Sequence, residues 1–254
     1  MTKLRTHWLL NSVNEKKTSL AISEVFFIKR DHPLSTGGVV NHAGSSEGVG
    51  VVNYAEIAYN IVLDIIGTKG GVTRMVAGLK PTWMVTNIYD LTPKDLRAQG
   101  VRAVLTDLDN TLIAWNNPDG TPELRHWLNL LELAGIRVIV VSNNSRQRVD
   151  RAVAPFQLPY IHRALKPFPW GLNRALRRWH FRRDEVIMVG DQLMTDVWAA
   201  NRSGVRSVLV KPILKSDAWI TKGNRLLEKF VMWRLRHVYP ELTWQEDLNE
   251  RKAH

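Results

Sequence analysis

A run of β-branched and aliphatic residues, Val101 to Leu105, stops on Asp107-Leu108-Asp109-Asn110-Thr111. Such a run suits a buried strand that ends in a polar turn. Ligands of open α/β sheets sit outside the carboxyl ends of the strands. Two acids placed there repel each other unless a cation or a shared proton relieves them. A hard cation such as Mg²⁺, which prefers oxygen ligands, is the natural partner. The competing reading is a plain turn with side-chain caps, since Asp and Asn favour turns. Two later stretches weigh against it.

The chain after Met75 repeats the pattern of strand and helix. Leu79 to Val85 reads as a short extended lead-in, because the residue before Pro81 avoids the helical region. Thr92-Pro93 and Thr121-Pro122-Glu123 each read as a helix start, a hydroxyl N-cap followed by proline at the first helical position. Those helices are expected to end at Gly100 and Gly135. Ile136 to Val141 is nearly all aliphatic, as suits a strand buried on both faces, and it ends on Ser142-Asn143-Asn144. Next come a basic helix over 145–154 stopped by Pro155, a short strand near Tyr160-Ile161, and a second basic helix from about Gly171 to Trp179. Val186 to Val189 is a strand ending on Gly190-Asp191-Gln192, Thr195 to Ser203 a helix closed by Gly204, and Ser207 to Val210 a last strand. This alternation predicts an α/β fold on a doubly wound parallel sheet with right-handed crossovers.

Parallel strands bring their carboxyl ends to one edge. That edge would carry Asp107 and Asp109, Ser142 and Asn143, and Asp191, with Lys166 ahead of a helix between the second and third groups. Together these are the parts of a phosphoryl-transfer site. A carboxylate can attack phosphorus, and a neighbouring acid can protonate the leaving alcohol and then activate water. Mg²⁺ and lysine offset charge on the phosphoryl oxygens. Composition narrows the chemistry: the 254 residues include no cysteine, which removes thiolate nucleophiles, thiolate metal sites and disulfides and fits a reducing compartment. The formal net charge of +11 favours anionic partners, whether phosphate esters, nucleic acid or an acidic membrane surface, without choosing among them. No apolar run reaches the length of a membrane span; Ile57 to Ile66 comes closest and is interrupted by Asn60 and Asp64. The first ten residues do not read as a signal peptide.

The order Asp107-x-Asp109-x-Thr111, then Ser142, then Lys166, then Gly190-Asp191 with Asp196 beyond, resembles the haloacid dehalogenase superfamily of phosphatases. Lys80-Pro81-Thr82, Leu105 to Leu112 and Gly190 to Val197 are similar to the bacterial YqeG group, class IIIA of that superfamily, over about Met75 to Tyr239. The resemblance implies a HAD-like, Rossmann-type fold and the following roles. Asp107 is the expected nucleophile and Asp109 the acid/base. Ser142 and Asn143 hold the phosphoryl group and Lys166 neutralises it. Asp191 ligates Mg²⁺ with Asp107 and the Asp109 backbone carbonyl. Asp196 is a further candidate acid, though it could equally cap the helix that follows, and Asn144 and Ser145 could be caps too. Thr111 belongs to the same motif. The group is similar to the phosphatidylglycerophosphate phosphatases, which implies a lipid headgroup phosphomonoester.

One helix and one strand fill each interval between Asp107, Ser142 and Lys166, which leaves no room for a sizeable cap domain. An open site suits a phosphate on a large or surface-bound molecule. Beside Lys166 lie Trp170, Arg174, Arg177, Arg178, Trp179, Arg182 and Arg183, a basic and aromatic mixture typical of an interfacial element. Trp219 to Tyr239 has a similar mixture. Each element also reads as an ordinary helix packed through its apolar face, and both fit nucleic acid as well. The expectation is therefore a cytoplasmic phosphatase with peripheral contact at the inner membrane face. A phosphatase of soluble or nucleic-acid phosphomonoesters and a non-catalytic assembly or binding protein on the same fold are the alternatives. The four charged residues Asp107, Asp109, Lys166 and Asp191 speak against the last.

Three segments are expected. Residues 75–215 form the phosphatase domain, and 216–254 a basic helical segment packed on it. Residues 1–74 offer little apolar periodicity and no recognisable chemistry. They read either as a poorly structured extension or as an overextended start, since Lys69-Gly70-Gly71 can be encoded by a purine-rich ribosome-binding sequence just ahead of Met75.

Overall fold

A strand that is apolar on both faces needs cover on both, and here helices supply it. A computed structural model describes residues 77–114, 117, 120–214 and 222–248; the reading of residues 1–74 lies outside these. The strands are β1 (Trp83–Val85), β2 (Ala103–Thr106), β3 (Arg137–Val141), β4 (Tyr160–Ile161), β5 (Val186–Gly190) and β6 (Arg206–Val210). They make one sheet in the order β1-β6-β5-β2-β3-β4, and every pairing is parallel. From β2 the chain winds outward through β3 to β4. It then returns to the other side of β2 and winds through β5 to β6. The reversal between β2 and β5 opens a crevice at their carboxyl ends, the usual ligand position of such sheets.

Side chains alternate across this sheet, as strand geometry requires. Val104, Val138, Val140, Ile187 and Val189 face one core, while Ala103, Leu105, Ile139, Val141, Val186 and Met188 face the other. The first core is closed by α1 (Pro93–Ala98), α2 (Pro122–Leu133) and α3 (Arg146–Val153) through Leu96, Leu124, Trp127, Leu131 and Val149. On the other face, α4 (Trp170–Trp179) contributes Leu172, Ala175 and Leu176. A π-helical turn, Leu193–Val197, runs into α5 (Trp198–Arg202), which adds Ala199 and Ala200. Helices α1 and α2 start as their sequences dictate: the Thr92 hydroxyl accepts from the Asp95 N–H at 3.2 Å and the Thr121 hydroxyl from Leu124 at 3.3 Å.

One part of the sheet region differs from expectation. Leu79 to Val85 is more than a lead-in, because Trp83–Val85 pairs with Val208–Val210 as an edge strand. Helix α6 (Lys222–Val238) buries Val231 and Leu235 against Leu79, Met84, Leu193, Val197 and Leu209, a third cluster beside the π turn. No helix among the described residues is long and apolar enough to cross a membrane.

Candidate active site

The end of β2 is fastened to its neighbour before any side chain acts: the Asp107 N–H donates to the Val189 carbonyl at 2.9 Å. The Asp107 carboxylate then accepts from the Lys166 ammonium at 2.6 Å, and the same ammonium donates to Asp196 at 2.7 Å. Lys166 is only 2% exposed. Its backbone is gripped by Asn143 at the end of β3: the Asn143 amide donates to the Lys166 carbonyl at 2.9 Å and accepts from the Lys166 N–H at 2.8 Å. Asp196 reaches the site from the π turn by lying directly against the last residue of β5. A β-carbon on Gly190 would overlap the Asp196 side chain, so glycine is required there. Asp191 follows at the next position and accepts from the Thr111 hydroxyl at 3.2 Å.

Carboxylate oxygens of Asp107, Asp191 and Asp196 all lie within 4.8 Å of one another. Three acids facing one ammonium leave an excess of negative charge in a poorly hydrated place. Burial pushes the Asp107 carboxyl up to about 6 against the pull of Lys166, with Asp196 and Asp109 adding to the rise. Burial likewise holds Asp191 well above the ordinary carboxylate range, reinforced by Asp196 and Asp107. For Lys166 burial works against the charged form, but the two carboxylates outweigh it and hold the ammonium above its usual range. An all-oxygen donor set with uncompensated charge fits a hard divalent cation.

The signs of these shifts give a pH dependence. Asp107 and Asp191 bind protons more tightly in the folded chain than in the unfolded one. Their contribution to stability is full below the ordinary carboxylate pKa near 4; that of Asp107 is lost as pH rises through about 6, and that of Asp191 is lost as pH rises through its own raised pKa. A cation competes with those protons. The gain in Tm on adding saturating Mg²⁺ to metal-free protein should therefore be larger at about pH 7.5 than at about pH 5. Calorimetry at both values checks this, and a constant or reversed gain contradicts it.

The remaining sequence-predicted residues surround this cluster. Asp109 is turned toward the start of α3, where its carboxylate accepts from Arg148 and from the Asn144 amide. The chain turns at once after it, with Asn110 in the left-handed region at φ 63°, a conformation that Asn tolerates. The buried Ser142 hydroxyl accepts from the Asn144 N–H at 3.2 Å and from its amide at 3.1 Å. Asn144 is thus a link between Ser142 and Asp109. Ser145 occupies the N-cap position of α3 but makes no side-chain cap hydrogen bond. Asp196 caps neither the π turn nor α5, since neither has a side-chain cap hydrogen bond; it accepts instead from the preceding Gln192 N–H at 3.2 Å and from Lys166. Arg148 gave no signal in the sequence, because it meets Asp109 across a long stretch of chain, and the same holds for Glu228, whose carboxylate accepts from the Leu193 and Met194 N–H groups.

A family model described as haloacid dehalogenase-like hydrolase matches residues 14–204. The "Probable phosphatase YqeG" of Bacillus subtilis (strain 168) is 38% identical over 166 residues, covering 65% of this chain and 96% of that protein. The "Phosphatidylglycerophosphate phosphatase 1, chloroplastic" of Chlamydomonas reinhardtii is 28% identical over 157 residues, covering 57% of this chain and 58% of the algal protein. Among solved structures, the cobalt-bound deoxy-D-mannose-octulosonate 8-phosphate phosphatase from Haemophilus influenzae covers 54% of this chain and 90% of its own, at 14% identity and a TM-score of 0.34.

Proposed function

This chain belongs to the haloacid dehalogenase-like hydrolases and is a phosphatase, and from that premise we propose that it is a Mg²⁺-dependent enzyme working through an aspartyl-phosphate. The observation that carries the reading is the buried Asp107–Lys166–Asp196 contact with Asp191 beside it, at the crevice between β2 and β5. Asp107 attacks phosphorus as the bond to the leaving alcohol breaks, and Asp109 gives that alcohol a proton. Water then attacks the aspartyl-phosphate, Asp109 takes its proton, and free phosphate and the Asp107 carboxylate are restored. Lys166 balances charge on the phosphoryl oxygens throughout, and Ser142 borders their place. Asp107, Asp191 and Asp196 would hold the cation, which when bound offsets further negative charge. Dialysis against chelator should abolish phosphate release, and Mg²⁺ should restore it. Full activity in chelator would remove the metal from the mechanism.

For the substrate we propose a phosphatidylglycerophosphate, hydrolysed by an enzyme docked on the cytoplasmic face of the membrane. The name of the algal relative supports this. So does the exposed side of α4, where Trp170 is 58% exposed and Arg174, Arg177 and Arg178 face solvent while Leu172, Ala175 and Leu176 pack inward. Tryptophan suits the membrane interface, and each arginine near an anionic surface gains about 1 kcal/mol, screened by salt. Replacing all three arginines by Gln should weaken binding to anionic vesicles by up to about a hundredfold. Hydrolysis of the lipid should slow accordingly, and hydrolysis of a small phosphoester should barely change, because the residues of the chemistry remain. Vesicle co-sedimentation beside both assays is the test. Equal loss on both substrates would make α4 a support of the site, and no loss on either would return the arginines to an ordinary solvated face.

A further inference from the structure

We propose that Glu228, on helix α6, is a positioning residue for the cation-binding loop, holding Asp191 and Asp196 at the separation the cation needs; the proposal rests on the metal reading given above. The loop Asp191-Gln192-Leu193-Met194-Thr195-Asp196 leaves β5 and enters the π turn, where its first N–H groups have no partner within the helix. Glu228 supplies one. Its carboxylate accepts from the Leu193 N–H at 3.1 Å and from the Met194 N–H at 2.8 Å. Both donors lie between the two acids in sequence. A carboxylate over the N-terminus of a helix also meets the positive end of its dipole.

The same contact is reinforced by packing. Leu193 is 1% exposed and lies in one cluster with Val197 from the π turn and with Val231 and Leu235 from α6. Glu228 is one helical turn before Val231 on the same helix face, so the carboxylate sits at the rim of an apolar seam. Burial pushes its carboxyl up to about 7, the two N–H groups pull it down, and the charge of Asp196 adds to the rise. On its other side the loop is held close to β5, where the Asp196 side chain lies directly against Gly190.

Partners that orient metal ligands typically contribute about 10- to 100-fold to metal affinity. Glu228→Gln keeps the volume but loses the charge and one acceptor. Metal-free Glu228→Gln should bind Mg²⁺ at least about tenfold more weakly than wild type by isothermal titration calorimetry, and Glu228→Asp should fall between the two. At saturating Mg²⁺ the kcat of Glu228→Gln should return toward the wild-type value. Leu235→Ala, which loosens the same helix without touching the carboxylate, should lower Tm and leave Mg²⁺ affinity within about twofold. Wild-type affinity in either Glu228 variant overturns the proposal, whatever happens to Tm. Equal losses in Leu235→Ala and Glu228→Gln overturn it too, since helix docking would then explain both. Wild-type protein that binds no Mg²⁺ overturns the metal reading and this inference together.

Discussion

Asp107→Asn should lose at least about 10⁴-fold in phosphate release while remaining folded, a loss on the order of those seen when a covalent nucleophile is removed. The amide is close to isosteric but cannot form the phosphoenzyme. Folding should survive because Lys166 retains Asp196 at 2.7 Å and is not left as an unpaired buried charge. The metal-free variant should in fact melt higher than wild type at neutral pH. One of three carboxylates within 4.8 Å is gone, and with it a group whose burial and acidic neighbours penalise ionisation. Single-turnover assays, a search for phosphoenzyme and a thermal melt measure all three effects. A folded variant with measurable turnover through a phosphoenzyme would move the nucleophile elsewhere.

Lys166→Met should be the most destabilising single change at the site. It leaves Asp107 and Asp196 facing each other with no ammonium between them, and both are buried. Removing one member of a buried ion pair typically costs about 3–5 kcal/mol, or roughly 10 °C in Tm for a domain of this size. The loss should shrink on acidification, when Asp107 takes up a proton, and on addition of Mg²⁺. That recovery separates an electrostatic cause from a packing defect, which neither treatment would repair. Activity should fall by about a hundredfold or more even when Mg²⁺ restores the fold, since the phosphoryl oxygens lose a fixed positive charge. A neutral-pH melt equal to wild type would refute this account.

Much of the site was legible because three strands announce themselves by aliphatic runs that stop on polar residues. Asp107, Ser142 and Asp191 follow such runs, and parallel pairing then puts them at one edge. Strand β1 was not legible as a sheet strand, since three residues give no period to read. The sequence left Asp196 between helix cap and site residue, and the structure has it accepting from both the Gln192 N–H and Lys166. The π turn was hidden because no pattern of residues within 193–197 marks it, and the approach of Asp196 to Gly190 is a contact between elements. Arg148 and Glu228 escaped for the same reason: the first meets Asp109 from α3 and the second meets the loop from α6. Periodicity reports which face of an element is buried, and it says nothing of which distant polar group will be met there.

The double hydrogen bond between Asn143 and the Lys166 peptide has a consequence for how this site can vary. An amide side chain that both donates to and accepts from one residue's backbone does for it what a neighbouring strand would do. The path of the chain at position 166 is thereby set by Asn143, and the chemistry there by the lysine side chain. The two functions are separable. A change at 166 alters charge while the peptide keeps its place, whereas a change at 143 displaces an unaltered lysine from its carboxylates. Defects in this enzyme that look alike in an activity assay can thus arise from a missing charge or from a misplaced one.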